Sequence, residues 1–190
     1  MKSFTDTESK EEEKSSEKGI TKVDKVIAVM SGKGGVGKSS VTGILAVLLA
    51  RKGCKVGILD ADITGPSIPK IFGLSKRIKP SKDGFIPAES RLGIKVMSIN
   101  LILENEDDPV IWRGPLIAGA IKQFTHDTIW GELDFLLVDL PPGTSDAPMT
   151  VFNSMPVDGI VVVSSPQDLA FLVVKKAVNM ANILERSGEN

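Results

Sequence analysis

Thiols and imidazoles are scarce in this 190-residue chain: it has one cysteine and one histidine. A single thiol excludes an internal disulfide framework, and it excludes a zinc or iron–sulfur site built from several thiolates of one chain. An excess of either charge is missing too, with 23 Lys and Arg against 24 Asp and Glu and a formal net charge of −1. That balance argues against a chain whose main business is coating nucleic acid, although it is compatible with a local basic patch. No apolar run approaches the roughly 20 residues that cross a bilayer. The first residues, Met1-Lys2-Ser3-Phe4-Thr5-Asp6, lack the apolar stretch of a secretory signal. Together these absences predict a soluble, cytoplasmic protein with neither nucleic acid nor membrane as its partner.

What is present is ordinary globular composition, 42% hydrophobic and 25% charged, at a length that suits one domain. Residues 1–22 stand apart. The run from Glu8 to Lys18 has no apolar residue, so it cannot bury enough surface to offset the entropy of ordering, and a disordered charged tail is predicted there. Residues 23–190 are predicted to form a single alternating α/β domain. Val26–Met30 is a continuous apolar run, as in a strand buried on both faces. Ser39–Arg51 follows with Val41, Ile44, Leu45, Leu48 and Leu49 at helical spacing, and Gly53 sits where a helix C-terminus favours a left-handed residue. Further strands are predicted at Lys55–Leu59, Ile94–Ile99, Phe135–Val138 and Gly159–Val163. Helices are predicted at Leu116–Trp130, Ala147–Met155 and Leu169–Arg186. Strands alternating with helices imply a doubly wound, mostly parallel sheet with helices on both faces, and in such sheets ligands bind beyond the carboxyl ends of the strands.

At the end of the first strand stands Gly32-Lys33-Gly34-Gly35-Val36-Gly37-Lys38-Ser39, which satisfies the G-x-x-x-x-G-K-[ST] phosphate-loop pattern. Glycines let successive backbone N–H groups converge on phosphate oxygens. The helix that begins near Lys38 directs its positive end at the anion. Lys38 can reach the β- and γ-phosphates, and the Ser39 hydroxyl can ligate Mg²⁺. Gly32 to Ser40 are therefore the candidate nucleotide-binding residues. Asp139 closes an apolar strand, where a carboxylate can hold the Mg²⁺ shell. Gly143, in Pro141-Pro142-Gly143, would let its backbone approach the γ-phosphate. Asp60 and Asp62 lie in Leu59-Asp60-Ala61-Asp62-Ile63-Thr64-Gly65-Pro66-Ser67. One carboxylate in such a segment can orient the attacking water, and Asp60 at the strand end is the candidate for the metal shell. His126 and Trp130 are expected to be surface and packing residues respectively. Trp112 is expected to pack or to lie at a dimer interface, and Arg113 is left open between partner, nucleotide and surface contacts.

The second lysine, Lys33, makes the loop resemble the deviant P-loop ATPases, which include septum-site, chromosome-partition, arsenical-pump and iron–sulfur carrier members. Longer blocks narrow the likeness. Asp60 to Pro69, Val110-Ile111-Trp112-Arg113-Gly114-Pro115, Leu137 to Asp146, and Ser165-Pro166-Gln167-Asp168 resemble the Mrp-type (ApbC-type) iron–sulfur cluster carriers. The resemblance implies a homodimer that sandwiches Mg·ATP and hydrolyses it slowly. Within it Lys33 would reach the partner's phosphates, and Asp62, the second carboxylate, would activate water. It also implies a role in assembling iron–sulfur clusters and passing them from scaffold to apo-proteins, with one [4Fe–4S] cluster held between paired subunits by a C-x-x-C pair from each. Here the chain departs from the pattern: Cys54 is its only thiol and does not match the cluster position, so it is expected to be structural. The sequence stops at Gly188-Glu189-Asn190, before the family's cysteine pair and adenine-reading loop, so the chain is expected to carry the ATPase core without the cluster-binding segment. A positioning or partition ATPase, and a regulatory nucleotide-binding module without cluster carriage, are the alternative readings.

Overall fold

The computed structural model describes residues 22–62, 65–75, 77–78, 80–81, 84–102, 119, 123–124, 126–143, 151–152 and 155–165. Their elements run β1 (Lys22–Ser31), α1 (Lys38–Arg51), β2 (Val56–Asp60), α2 (Ile68–Phe72), β3 (Pro80–Ser81), β4 (Gly84–Phe85), β5 (Ala88–Glu89), β6 (Lys95–Ser98), β7 (Glu132–Asp139) and β8 (Gly159–Val163). Six strands form one sheet in the order β5-β6-β2-β7-β1-β8. Every pairing in it is parallel except that of β5 with β6. The doubly wound order expected from the alternation of elements is present. From β1 the chain steps to β2 and β6 on one side, returns to β7, and then reaches β8 on the other side of β1. Ligands of open α/β sheets bind where such a reversal opens a crevice at the strand ends.

The predicted strands all form, with one informative shift. β1 starts at Lys22, which composition assigns to the tail. Lys22 pairs with Glu132, and its N–H donates to the Gly131 carbonyl at 3.3 Å. The added residues Lys22, Asp24 and Lys25 are exposed, so a criterion of apolar runs cannot see them. Helix Leu116–Trp130 ends earlier than predicted. Gln123, Phe124, His126 and Asp127 are helical, but Thr128 already bridges to Phe85. Trp130 lies fully buried on the approach to β7, as its packing role required. Val151 and Phe152 are helical, whereas Met155 lies beyond the helix. The predicted helix Leu169–Arg186, the charged tail before Lys22, and Trp112 and Arg113 fall outside the described residues.

β2 is buried at every position, and β7 is buried from Leu136 to Asp139. This is the pattern of central parallel strands covered on both faces. Gly57 makes room for the largest buried side chain: a Cβ there would stand 2.6 Å from Leu133 Cδ1 and 3.0 Å from the Trp130 ring. α1 departs from its apolar spacing. It buries Lys38, Thr42, Gly43 and Ala46, while Ile44 and Leu48 are 59% and 51% exposed. Small residues are buried because they allow the closest approach, Gly43 against Ile71 and Phe72 of α2. Ile44 and Leu48 instead line, with Ile71 and Leu92, an open groove of about 570 Å³.

Candidate nucleotide site

The phosphate loop occupies the end of β1, with its ends tied to neighbouring segments. Ser31 Oγ donates to the Lys33 carbonyl at 3.0 Å, and Gly143 N–H donates to the Ser31 carbonyl at 2.9 Å. Gly143 is thereby held beside the loop. Gly35 and Gly37 adopt φ of 79° and 90°, a left-handed region that side chains with a Cβ rarely enter. Gly37 caps α1 without any side-chain hydrogen bond. The first N–H groups of the helix thus have no side-chain cap, and a helix end of this kind favours an anion electrostatically. Lys33, Gly34, Gly35, Gly37 and Ser40 are exposed, while Gly32, Val36 and Ser39 are half-buried.

Beneath the loop, α1 and β7 meet at Asp139, which is completely buried. Lys38 Nζ lies 2.8 Å from Asp139 Oδ2, with 7% of its side chain exposed. Ser39 Oγ donates to the same oxygen at 2.5 Å, and Thr42 Oγ1 lies 2.7 Å from Oδ1. One buried carboxylate thus receives an ammonium and two hydroxyls, all from the first turn and a half of α1. Ser39 and Asp139 supply hard oxygen donors side by side, which suits Mg²⁺ completed by phosphate oxygens and water. Among the described residues no group of three or more His, Cys, Asp and Glu could hold a metal ion, so these two residues fit a shared metal and not an all-protein cage.

Asp60 and Asp139 are register partners across β2 and β7. Asp60 accepts from three protein donors. Its Oδ1 accepts from Asp62 N–H at 3.3 Å, and its Oδ2 accepts from Ile68 N–H at 3.2 Å and Ser98 Oγ at 3.3 Å. The Asp62 and Ile68 donors flank residues 63–67 and Ser98 comes from β6, so Asp60 secures the backbone on either side of that segment to the neighbouring strand. Burial pushes its carboxyl up to about 7, helped by the Asp139 charge and opposed by the Ile68 and Asp62 N–H groups. Asp62 is half-buried and begins a turn in which its Oδ1 accepts from Gly65 N–H at 3.2 Å. Asn100 braces the same segment, with Nδ2 donating to the Pro66 carbonyl at 3.3 Å.

Lys38, Ser39 and Asp139 are brought together as the sequence motifs require, while Asp60 and Asp62 stand on the adjoining strand end. Sequence reasoning missed Thr42, Ser98 and Asn100. Only Thr42 left a signal: a hydroxyl one turn beyond Lys38 within the stretch Val41–Ala50, which has no other polar side chain. Cys54 is half-buried and packs against the core, and His126 is half-buried. No described helix is long and apolar enough to cross a membrane.

Comparison with known proteins agrees with this geometry. A family model described as the NUBPL iron-transfer P-loop NTPase, of the ParA group, matches residues 22–187. An iron–sulfur cluster carrier protein of Clostridium perfringens is 54% identical over 168 residues, covering 84% of this chain and 59% of the relative. A cytosolic Fe-S cluster assembly factor, CFD1 of Eremothecium gossypii, is 44% identical over 169 residues, covering 84% and 60%. The chain thus spans about three-fifths of the length of these curated relatives. Among solved structures, a nucleotide-binding protein of Archaeoglobus fulgidus in complex with ADP matches with a TM-score of 0.79 and 50% identity, over 90% of this chain and 67% of that one. By its phosphate loop, its sheet and these matches, the chain belongs to the NUBPL iron-transfer P-loop NTPase family.

Proposed function

We propose that this chain binds and slowly hydrolyses ATP as the nucleotide-driven part of an iron–sulfur cluster carrier. The observation that carries the reading is the convergence of Lys38, Ser39 and Asp139 beneath a glycine loop whose helix end has no side-chain cap. The loop N–H groups and the α1 N-terminus bind the phosphates. Lys38 leaves Asp139 to lie against the β- and γ-oxygens. Mg²⁺ would be held by Ser39 Oγ and, through water, by Asp139, and would neutralise charge on the same phosphates. Asp62 orients the attacking water. The Gly143 backbone, tied to Ser31, senses the presence of the γ-phosphate.

In this reading two copies sandwich the nucleotides, and Lys33 of each stabilises charge on the phosphoryl group in its partner's site. The cluster is cargo, received from a scaffold and released to apo-proteins when the nucleotide state changes. The cluster carrier and assembly factor among the relatives support that role. Cys54 is the only thiol in each chain, so a four-thiolate cluster shared by two copies draws on ligands besides it.

The test is nucleotide titration of Lys38→Ala against the unsubstituted chain, using a fluorescent ATP analogue with Mg²⁺. Binding is expected to fall by at least about 100-fold, as for loss of a buried charge-assisted contact with phosphate. Undiminished affinity would remove the phosphate-loop assignment.

A further inference from the structure

Thr42 lies one turn beyond Lys38, is completely buried, and faces the one carboxylate on which the site turns. Its hydroxyl carries a single proton and has two acceptors in reach, Asp139 Oδ1 at 2.7 Å and the Lys38 carbonyl at 3.1 Å. The shorter contact leads to a carboxylate, and charge-assisted O–H···O⁻ bonds are both shorter and stronger than neutral ones. The proton therefore belongs to Asp139. On the other carboxylate oxygen sit Lys38 Nζ and Ser39 Oγ. Among the described residues, the hydrogen-bond donor to Oδ1 is Thr42.

We infer that Thr42 is a positioning residue for the metal site, fixing the rotation of the Asp139 carboxylate so that one oxygen points at Ser39 while the other is held by α1. A carboxylate on a strand end rotates about its last torsion through a broad, roughly two-fold well. Without Thr42, only the contacts of Lys38 and Ser39 with one oxygen restrain that rotation, and Lys38 gives up its contact when phosphate arrives. With it, Oδ1 is tied to the rigid first turns of α1, the same element that carries Lys38 and Ser39. Three groups on one helix thus set both the position and the rotation of a residue about a hundred positions away in sequence. A buried carboxylate oxygen deprived of its donor is also costly, which adds to the preference for this orientation. The inference rests on the nucleotide reading above, because Mg²⁺ is expected to enter with the phosphates.

The experiment compares the full chain with Thr42→Val, which keeps the shape and loses the hydroxyl, and with Thr42→Ser, which keeps the hydroxyl. Affinity for a fluorescent ADP analogue is measured in EDTA and across a Mg²⁺ titration, alongside thermal melting of each variant. Thr42→Val is expected to raise the Mg²⁺ concentration for half-maximal effect by roughly tenfold or more, the scale of a hydrogen bond to a charged group. Affinity in EDTA should stay within about twofold, and Thr42→Ser should restore the Mg²⁺ response. An unchanged Mg²⁺ response in Thr42→Val, equal losses with and without Mg²⁺, or a Ser variant that behaves like Val would each overturn the inference. Failure of the unsubstituted chain to bind the analogue would overturn the nucleotide reading and this inference together. If Thr42→Val does not fold, the Ser variant decides: a Mg²⁺ response equal to that of the original chain supports the assignment, and a weakened one counts against it.

Discussion

Lys38 is held by a charge that is not its intended partner. Its ammonium and the Asp139 carboxylate are both buried and 2.8 Å apart, so an arriving phosphate must draw Lys38 away and leave the carboxylate beside an anion. A divalent cation removes that conflict, which couples cation and nucleotide binding. Asp139→Asn should therefore bind nucleotide more tightly than the original chain in EDTA, by about tenfold. It should gain little from added Mg²⁺; parallel titrations with and without the metal check this. The second buried carboxylate sets a pH dependence. With its pKa raised to about 7 in the folded state, Asp60 binds a proton there that the unfolded chain has already released. Its contribution to stability is therefore full at acid pH and declines as pH rises towards and through 7. Melting temperatures between pH 5 and 8 should slope less in Asp60→Asn, despite an overall loss of roughly 1–3 kcal/mol from a mismatched acceptor. The phosphate loop was legible because its chemistry is written in contiguous residues. The partners of Asp60 were not, since Ser98 and Ile68 reach it only through the pairing of β2 with β6 and the entry to α2.

Helix α1 separates what periodicity can tell from what packing decides. Apolar residues at helical spacing identified the helix and its end at Arg51, but not which of them it buries. Where a helix lies closely on its neighbours, the buried stripe goes to the smallest residues, here Thr42, Gly43 and Ala46. A Cβ on Gly43 would already stand 3.2 Å from Ile71 Cγ2. Ala46→Leu is accordingly expected to destabilise by about 1–3 kcal/mol through overpacking. Ile44→Lys and Leu48→Glu should change stability by less than about 0.5 kcal/mol; chemical denaturation of the three variants would measure the contrast. The same distinction explains the other misjudged ends. The charged start of β1 is fixed by pairing with β7, and the helix before Trp130 stops where Thr128 bridges to Phe85. β3, β4 and β5 have two residues each, too few to express any alternation.

For the whole molecule, the strongest expectation concerns two copies. If Lys33 acts on its partner's nucleotide while Asp62 acts on its own, Lys33→Ala and Asp62→Ala should each bind nucleotide and each turn over slowly. Mixed together, they form hybrid dimers in which one site combines an intact Asp62 with an intact Lys33 from across the interface. Half of the dimers are hybrids and half of their sites are intact, so hydrolysis should recover to about a quarter of the original rate. A mixture no more active than its components would place both residues in the same chain's site, or in neither.

The position of β1 in the sheet has a further consequence, for how the molecule comes to be made. β1 is the first described strand, yet its neighbours on either side are β7 and β8: Lys22 pairs with Glu132, and Ile27 with Gly159. Pairings so distant in sequence close large loops before any contact rewards them, which is the topology of slow folding. During synthesis the phosphate loop emerges early, but Asp139, against which Lys38 and Ser39 settle, follows about a hundred residues later, several seconds at ordinary rates of elongation. Through that interval Val26 to Met30 has neither flanking strand. The site is therefore completed only after β7 has emerged, and until then the nascent chain carries the apolar run of β1 unpaired.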